Sequence, residues 1–239
     1  MSPSTWDNGP GCSRRRRRRG ASAGGIFCGG GVVKFAVTVG IALLVVAGGV
    51  PGPVWAGAAA QRFTIVPAES QAIYRVEETL FREGNRLKVA VGSTNAVRGD
   101  ITVDRANPRN SRIGTIVVNI STFRTDSTRR DRAIRERWLE SARYPNAEFH
   151  PVAFSGLPAR YTHGQEISFK VTGDLKIRDV VRRTTLDVRM RLNGNTLRGT
   201  AAGKILMTDF GFDPPSILGI LRAENTVEIE PRFVARPAS

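Results

Sequence analysis

Between Ile167 and Leu192, apolar and polar residues alternate with a period of two. Ile167, Phe169, Val171, Leu175 and Ile177 share one parity, and Ser168, Lys170, Thr172, Asp174, Lys176 and Arg178 share the other. Successive side chains of a strand point to opposite faces, so the pattern describes a sheet with one apolar and one wet face. After Asp179–Arg183 the alternation resumes, with Leu186, Val188, Met190 and Leu192 set against Thr185, Asp187, Arg189 and Arg191. Two such runs joined by about five residues predict an antiparallel hairpin.

Shorter runs of the same kind precede and follow it. Phe63–Val66 and Gln71–Glu78 read as strands, the second with Ala72, Tyr74 and Val76 on one face. Leu87, Val89 and Val91 continue the pattern, as do Val97, Ile101 and Val103, then Ile113–Ile120, Phe149–Phe154, Leu197–Met207 and Thr226–Val234. About eight strands separated by polar turns predict an all-β fold, either a closed antiparallel barrel or a sandwich. One segment breaks the period: Ser127–Ser141 is rich in Arg and Glu, and Ile134 and Trp138 stand four apart, on one helical face. Asp126 or Ser127 caps its start and Tyr144–Pro145 ends it. Such a helix serves equally well as a plug over a barrel end or as a surface helix packed on the sheet.

Residues 1–60 differ from the rest. Arg14–Arg19 is an unbroken basic run, Val32–Val50 is apolar apart from Lys34, and Ala56–Ala60 offers small residues for cleavage after Ala58 or Ala60. This order is that of a secretory signal, which makes the arginines an export feature rather than a nucleic-acid patch. Residues 32–50 also approach the ~20 residues that span a bilayer, so a cleaved signal and a retained anchor both fit. The expected organisation is a leader (1–60) followed by one β domain (61–239), exported to the cell envelope, the periplasm or the medium.

Both cysteines, Cys12 and Cys28, fall in the leader, and Cys28 precedes the apolar segment, which rules it out as a lipoprotein acylation site. A cysteine-free domain of about 180 residues relies on its core. The chain carries a net charge of +15; with the leader's seven basic residues and Asp7 set aside, 29 basic and 20 acidic residues remain. That balance favours anionic surfaces such as phospholipid headgroups or cell-wall polymers.

Catalytic groups are scarce. The domain has only His150 and His163, no cysteine and no Gly-x-Ser-x-Gly elbow, and two isolated histidines do not make a zinc site. Arg130 and Asp131 open the helix, where an aspartate meets the positive helix end. Asp174 and Asp187 lie on the wet parity, where pairing with Arg178, Arg182 or Arg189 would set register. No catalytic residue, metal site or cofactor is expected.

Three groups of residues carry a resemblance. Ser121, Thr125, Arg130, Asp131, Tyr144, Pro145 and Phe149 follow the order of one signature of the YceI-like domain. Gly173, Asp174, Leu175, Ile177, Arg178 and Val180, then Thr185, Leu186, Asp187 and Val188, resemble a second; Asp209, Phe210 and Gly211 resemble a third. Asp179 replaces a turn glycine, Arg183 replaces a frequent proline, Met207 replaces an arginine, and no histidine pattern accompanies Tyr74, marking a divergent branch. The resemblance implies an eight-stranded, lipocalin-like barrel with one amphipathic helix, holding a non-covalently bound isoprenoid or other amphipathic lipid.

An eight-stranded barrel either fills its interior with side chains or holds one small ligand, and the residues alone fit both. The expected lining is Phe149, Phe169, Val171, Leu175, Leu186, Val188 and Met190, joined by Phe154 if a bulge offsets its parity. Phe210, Phe212, Ile217 and Leu218 belong to an apolar, proline-bearing loop that would gate the mouth, touch an anionic membrane or fold onto the barrel end. The functional expectation is a non-enzymatic lipid carrier; the alternative is an envelope stress or adhesion module with a solid core that binds anionic polymers.

Overall fold

The alternation around residue 178 forms the longest hairpin among the described residues: Glu166–Ile177 and Val180–Asn193 pair from Ile177–Val180 at the turn to Glu166–Arg191 at the far end. The connection is only Arg178 and Asp179, shorter than the Asp179–Arg183 loop expected. Arg178 supplies the tight reversal at φ +58°, and its guanidinium pairs with Glu140 and lies 5.9 Å over the Tyr144 ring.

The computed structural model describes residues 60–238. The strands are β1 (Gln61–Ile65), β2 (Gln71–Leu80), β3 (Arg86–Thr94), β4 (Val97–Arg98), β5 (Asp100–Val103), β6 (Arg112–Ile113), β7 (Ile116–Asn119), β8 (Asn146–Ser155), β9 (Glu166–Ile177), β10 (Val180–Asn193), β11 (Thr196–Leu206), β12 (Ser216–Ile217) and β13 (Leu221–Pro237). Among the described residues the expected runs become thirteen segments, because breaks at Gly99 and at Gly114–Thr115 divide two of them and β12 adds a short strand within the expected loop. The leader, with its cleavage or anchor features and both cysteines, lies outside the described residues.

All pairings are antiparallel, and they curl the sheet around one apolar interior. The 17-residue β13 pairs with β11 on one side and with β2 and then β1 on the other. From β1 the pairing passes to β5; β4, next to β5 in the chain, pairs with β7, which leads through β8 and β9 to β10. Ser70 pins the bend between β1 and β2: its hydroxyl, 1% exposed, donates to the Val66 carbonyl at 2.8 Å and accepts from Val234 N–H at 3.0 Å.

The inner face holds Phe63, Val97, Val171, Leu186, Val188, Leu197 and Ala235, all buried. β3 contradicts the expected parity. Leu87, Val89 and Val91 face outward, 75, 49 and 43% exposed, whereas Ala90 and Thr94 are buried. The cause is Tyr74 on the paired strand, whose ring lies over Gly92; a Cβ there would come within 2.2 Å of a ring carbon.

Between β7 and β8, helix α1 (Thr128–Ala133) continues into a π-helical turn at Ile134–Trp138. Ser127 is the cap, accepting from Arg130 N–H at 3.3 Å. Asp131 is 4% exposed and accepts from Thr125 N–H and Oγ1 at 2.8 and 2.7 Å, so it staples the entry loop from inside. The register pairs also differ from expectation: Asp174 meets Arg183 at 3.0 Å and Asp187 meets Lys170.

Candidate functional site

The curled sheet borders a cavity of about 530 Å³ with an overwhelmingly apolar wall. The interior is therefore hollow, against the solid-core alternative. Small inward residues make the room: Ala90, Ala201 and Ala223 occupy buried wall positions where larger aliphatic side chains would fill it. Alanines on the inward parity of strands are the sequence signal for that room.

Of the expected lining residues, Phe149, Val171, Leu175, Leu186, Val188, Phe212 and Ile217 border this cavity. Phe154, Phe169 and Met190 instead border a second, much smaller space of about 40 Å³ together with Tyr161, Leu192 and Leu197. Phe154 does face inward, because β8 changes register between Pro151 and Ala153 and leaves Val152 outside. Phe210 is packed in the core, 1% exposed, and borders neither space; Leu218 is fully exposed. Contrary to expectation neither lines the cavity: Phe210 closes a 3-10 turn beneath the loop, and Leu218 sits at the loop's tip.

The helical segment forms part of the wall. Ile134, Trp138 and Leu139 border the cavity, so the face carrying Ile134 and Trp138 looks inward rather than onto the outside of the sheet. It is fastened at both ends by charge: Arg130 meets Glu78 of β2 at 3.1 Å, Lys88 of β3 meets Asp126 at 2.8 Å, and Glu140 meets Arg178. Asp126 is held below the usual carboxylate range, chiefly by the Lys88 hydrogen bond and then by Arg130.

Tyr74 and Phe123 meet edge to face beside this segment, centroids 5.1 Å apart. The Tyr74 hydroxyl is buried without a hydrogen-bond partner, and burial pushes its pKa well above the ordinary value. Neither histidine borders the cavity: His150 lies on the outer face between Thr115 (3.0 Å) and Glu148 (3.2 Å), and His163 is exposed in a turn. Among the described residues no group of His, Cys, Asp and Glu is placed to hold a metal ion.

A hollow antiparallel sheet walled by one inserted helix agrees with the match of residues 63–235 to the YceI-like domain model. The chain belongs to the YceI-like family. Among solved structures of this YceI-like fold, it is similar to BcnA of Burkholderia cenocepacia, with TM-score 0.55 and 19% identity over 71% of this chain and 98% of that one. A polyisoprenoid binding domain from Saccharophagus degradans, implicated in plant cell wall breakdown, gives TM-score 0.54 and 12% identity over 75% and 100%. The YceI protein of Campylobacter jejuni gives 0.50 and 17% over 62% and 84%. At these identities the likeness is one of fold. No curated protein matches the chain.

Proposed function

We propose that this YceI-like protein is an exported, non-enzymatic carrier that holds one isoprenoid or similar long-chain lipid inside the sheet. The observation that carries this is the apolar cavity of about 530 Å³, within the range of sites that engulf whole small ligands. Each buried methylene contributes about 0.8 kcal/mol, so about a dozen retain a chain after the cost of ordering its rotors is subtracted. A long flexible chain suits a wall that is overwhelmingly apolar, and the description of the Saccharophagus degradans domain as polyisoprenoid binding supports the same class. Export rests on the leader, in which Arg14–Arg19 precede the apolar residues 32–50.

The test is direct. Protein purified from its expressing cells is extracted with organic solvent and the extract analysed by mass spectrometry; the expected result is a defined apolar chain near one per molecule. Protein that retains none, and takes up none when offered polyprenols, quinones and fatty amides, overturns the reading. Salt-sensitive binding to anionic polymers with no lipid uptake would instead favour the adhesion alternative.

A further inference from the structure

The loop following Phe210 both closes the cavity and presents an apolar tip to solvent. Phe212, Pro215, Ile217 and Ile220 border the cavity, whereas Leu218 is fully exposed and Ile217 is 42% exposed. Strand β12 folds back on the start of β13, Ile217 opposite Leu221, and Ile220 N–H donates to the Ile217 carbonyl at 2.9 Å. Leu218 and Gly219 (φ +67°) are the two residues at the tip. Tight turns of this kind favour Asn, Asp and Gly, and Leu218 contributes nothing to the interior. Phe81 adds a second exposed apolar side chain alongside, its N–H donating to the Ile220 carbonyl at 2.9 Å.

Unpaired positive charge stands on the elements that border the same cavity. Arg82, next to Phe81, and Arg129 of α1 border the same cavity, and Arg222 stands opposite Ser216 in the β12–β13 register. None of the three enters an ion pair among the described residues, whereas Arg86 is taken by Glu83 at 3.3 Å and Arg130 by Glu78 and Asp126. Asp213 is the only carboxylate between Phe212 and Ile220. Exposed apolar side chains together with unpaired arginines combine the two terms that hold proteins at anionic membrane surfaces, burial in the acyl boundary and attraction to headgroups.

We propose that this rim docks the cavity mouth onto an anionic phospholipid bilayer, with Leu218 and Phe81 entering the acyl boundary and Arg82, Arg129 and Arg222 meeting phosphate-bearing headgroups. The proposal rests on the carrier reading and adds the place where cargo crosses between membrane and protein: the loop that touches the bilayer is the loop that closes the cavity. A lipid would pass through the mouth without crossing water.

The leader's own arginines attract anionic vesicles, so the test reads position 218 itself. In the full chain with Cys12→Ser and Cys28→Ser, an environment-sensitive fluorophore is attached at Leu218→Cys or, as the reference, at Asn195→Cys in the turn at the opposite end of β11. With phosphatidylcholine–phosphatidylglycerol vesicles the 218 probe is expected to shift to the blue and the 195 probe to remain in water. Each arginine near such a surface contributes roughly fivefold in partitioning, so R82Q/R129Q/R222Q is expected to raise the vesicle concentration at the midpoint of the 218 signal about a hundredfold. A 218 probe that stays in water while the protein co-sediments, or an unchanged signal in the triple variant, overturns the proposal. Docking and carriage fail separately: extracted lipid with a wet 218 probe removes docking alone, and an inserted probe on a lipid-free protein removes carriage alone.

Discussion

Arg130 of the helical segment donates to Glu78 of β2 at 3.1 Å, and Glu78 is only 6% exposed. The pair joins two cavity walls, so its loss is expected to loosen one against the other. Arg130→Ala leaves a buried carboxylate without its partner, a change that costs about 3 kcal/mol. Urea unfolding should report that loss, while Glu78→Leu with Arg130→Met, which removes both charges, should recover most of it. A single variant as stable as the parent would show that the pair does not fasten the wall.

Filling the cavity should abolish binding and spare the fold. Ala201 sits on its wall opposite Val188 and is 7% exposed. Ala201→Phe is expected to place a ring in space now empty, keep the far-UV circular dichroism of the parent and leave stability equal or higher, since cavities are destabilising. Extracted lipid should fall to background. Undiminished lipid in this variant would locate the cargo elsewhere.

The Tyr74 hydroxyl is buried with no partner. An unsatisfied buried hydroxyl costs about 1–3 kcal/mol, while the ring is needed against Phe123 and Gly92. Tyr74→Phe is therefore expected to raise the urea midpoint by the equivalent of about 1 kcal/mol, and Tyr74→Ala to lower it.

Acid should act through Asp126. Its carboxyl is depressed by Lys88 and Arg130, so it contributes stability above its unfolded value of about 3.9 and loses that contribution as pH falls through the lower folded value. The parent should lose stability progressively below about pH 4; Asp126→Asn should start less stable at pH 7 and show a shallower acid slope. Equal slopes would mean that other carboxylates, such as Glu69 and Glu230, carry the acid response.

The β9–β10 hairpin was readable because each strand has one dry and one wet face, and a period of two then reports the face directly. β3 shows where that signal stops. Its valines and leucine alternate as clearly as those of β10, but periodicity does not say which parity is inner; register with β2 does, and Tyr74 requires glycine opposite. The bulge at Val152 brings Phe149 and Phe154 to one side although they differ in parity, and Pro151, a residue that sheets confine to edges and bulges, is the one sign of it in Phe149–Phe154. The tight Arg178–Asp179 turn lacks the glycine that usually marks such a reversal; Glu140 and Tyr144, 38 and 34 residues earlier in the chain, hold Arg178 there. Within the cavity, the β8, β9 and β10 side chains were legible from alternation, whereas Ile134, Trp138 and Ala223 depended on where the helical segment and β13 cross the interior.

The outward side of β3 has a consequence for handling the protein. Leu87, Val89 and Val91 stand in the open on a strand whose second edge makes, among the described residues, one isolated backbone bridge, Ser93 to Arg124. An apolar strand with a free edge is a template for further strands, so concentrated stocks should lose material through stacking of neighbouring molecules along β3. Lysine at position 89 would put a charge at the centre of that seam and keep the molecules apart.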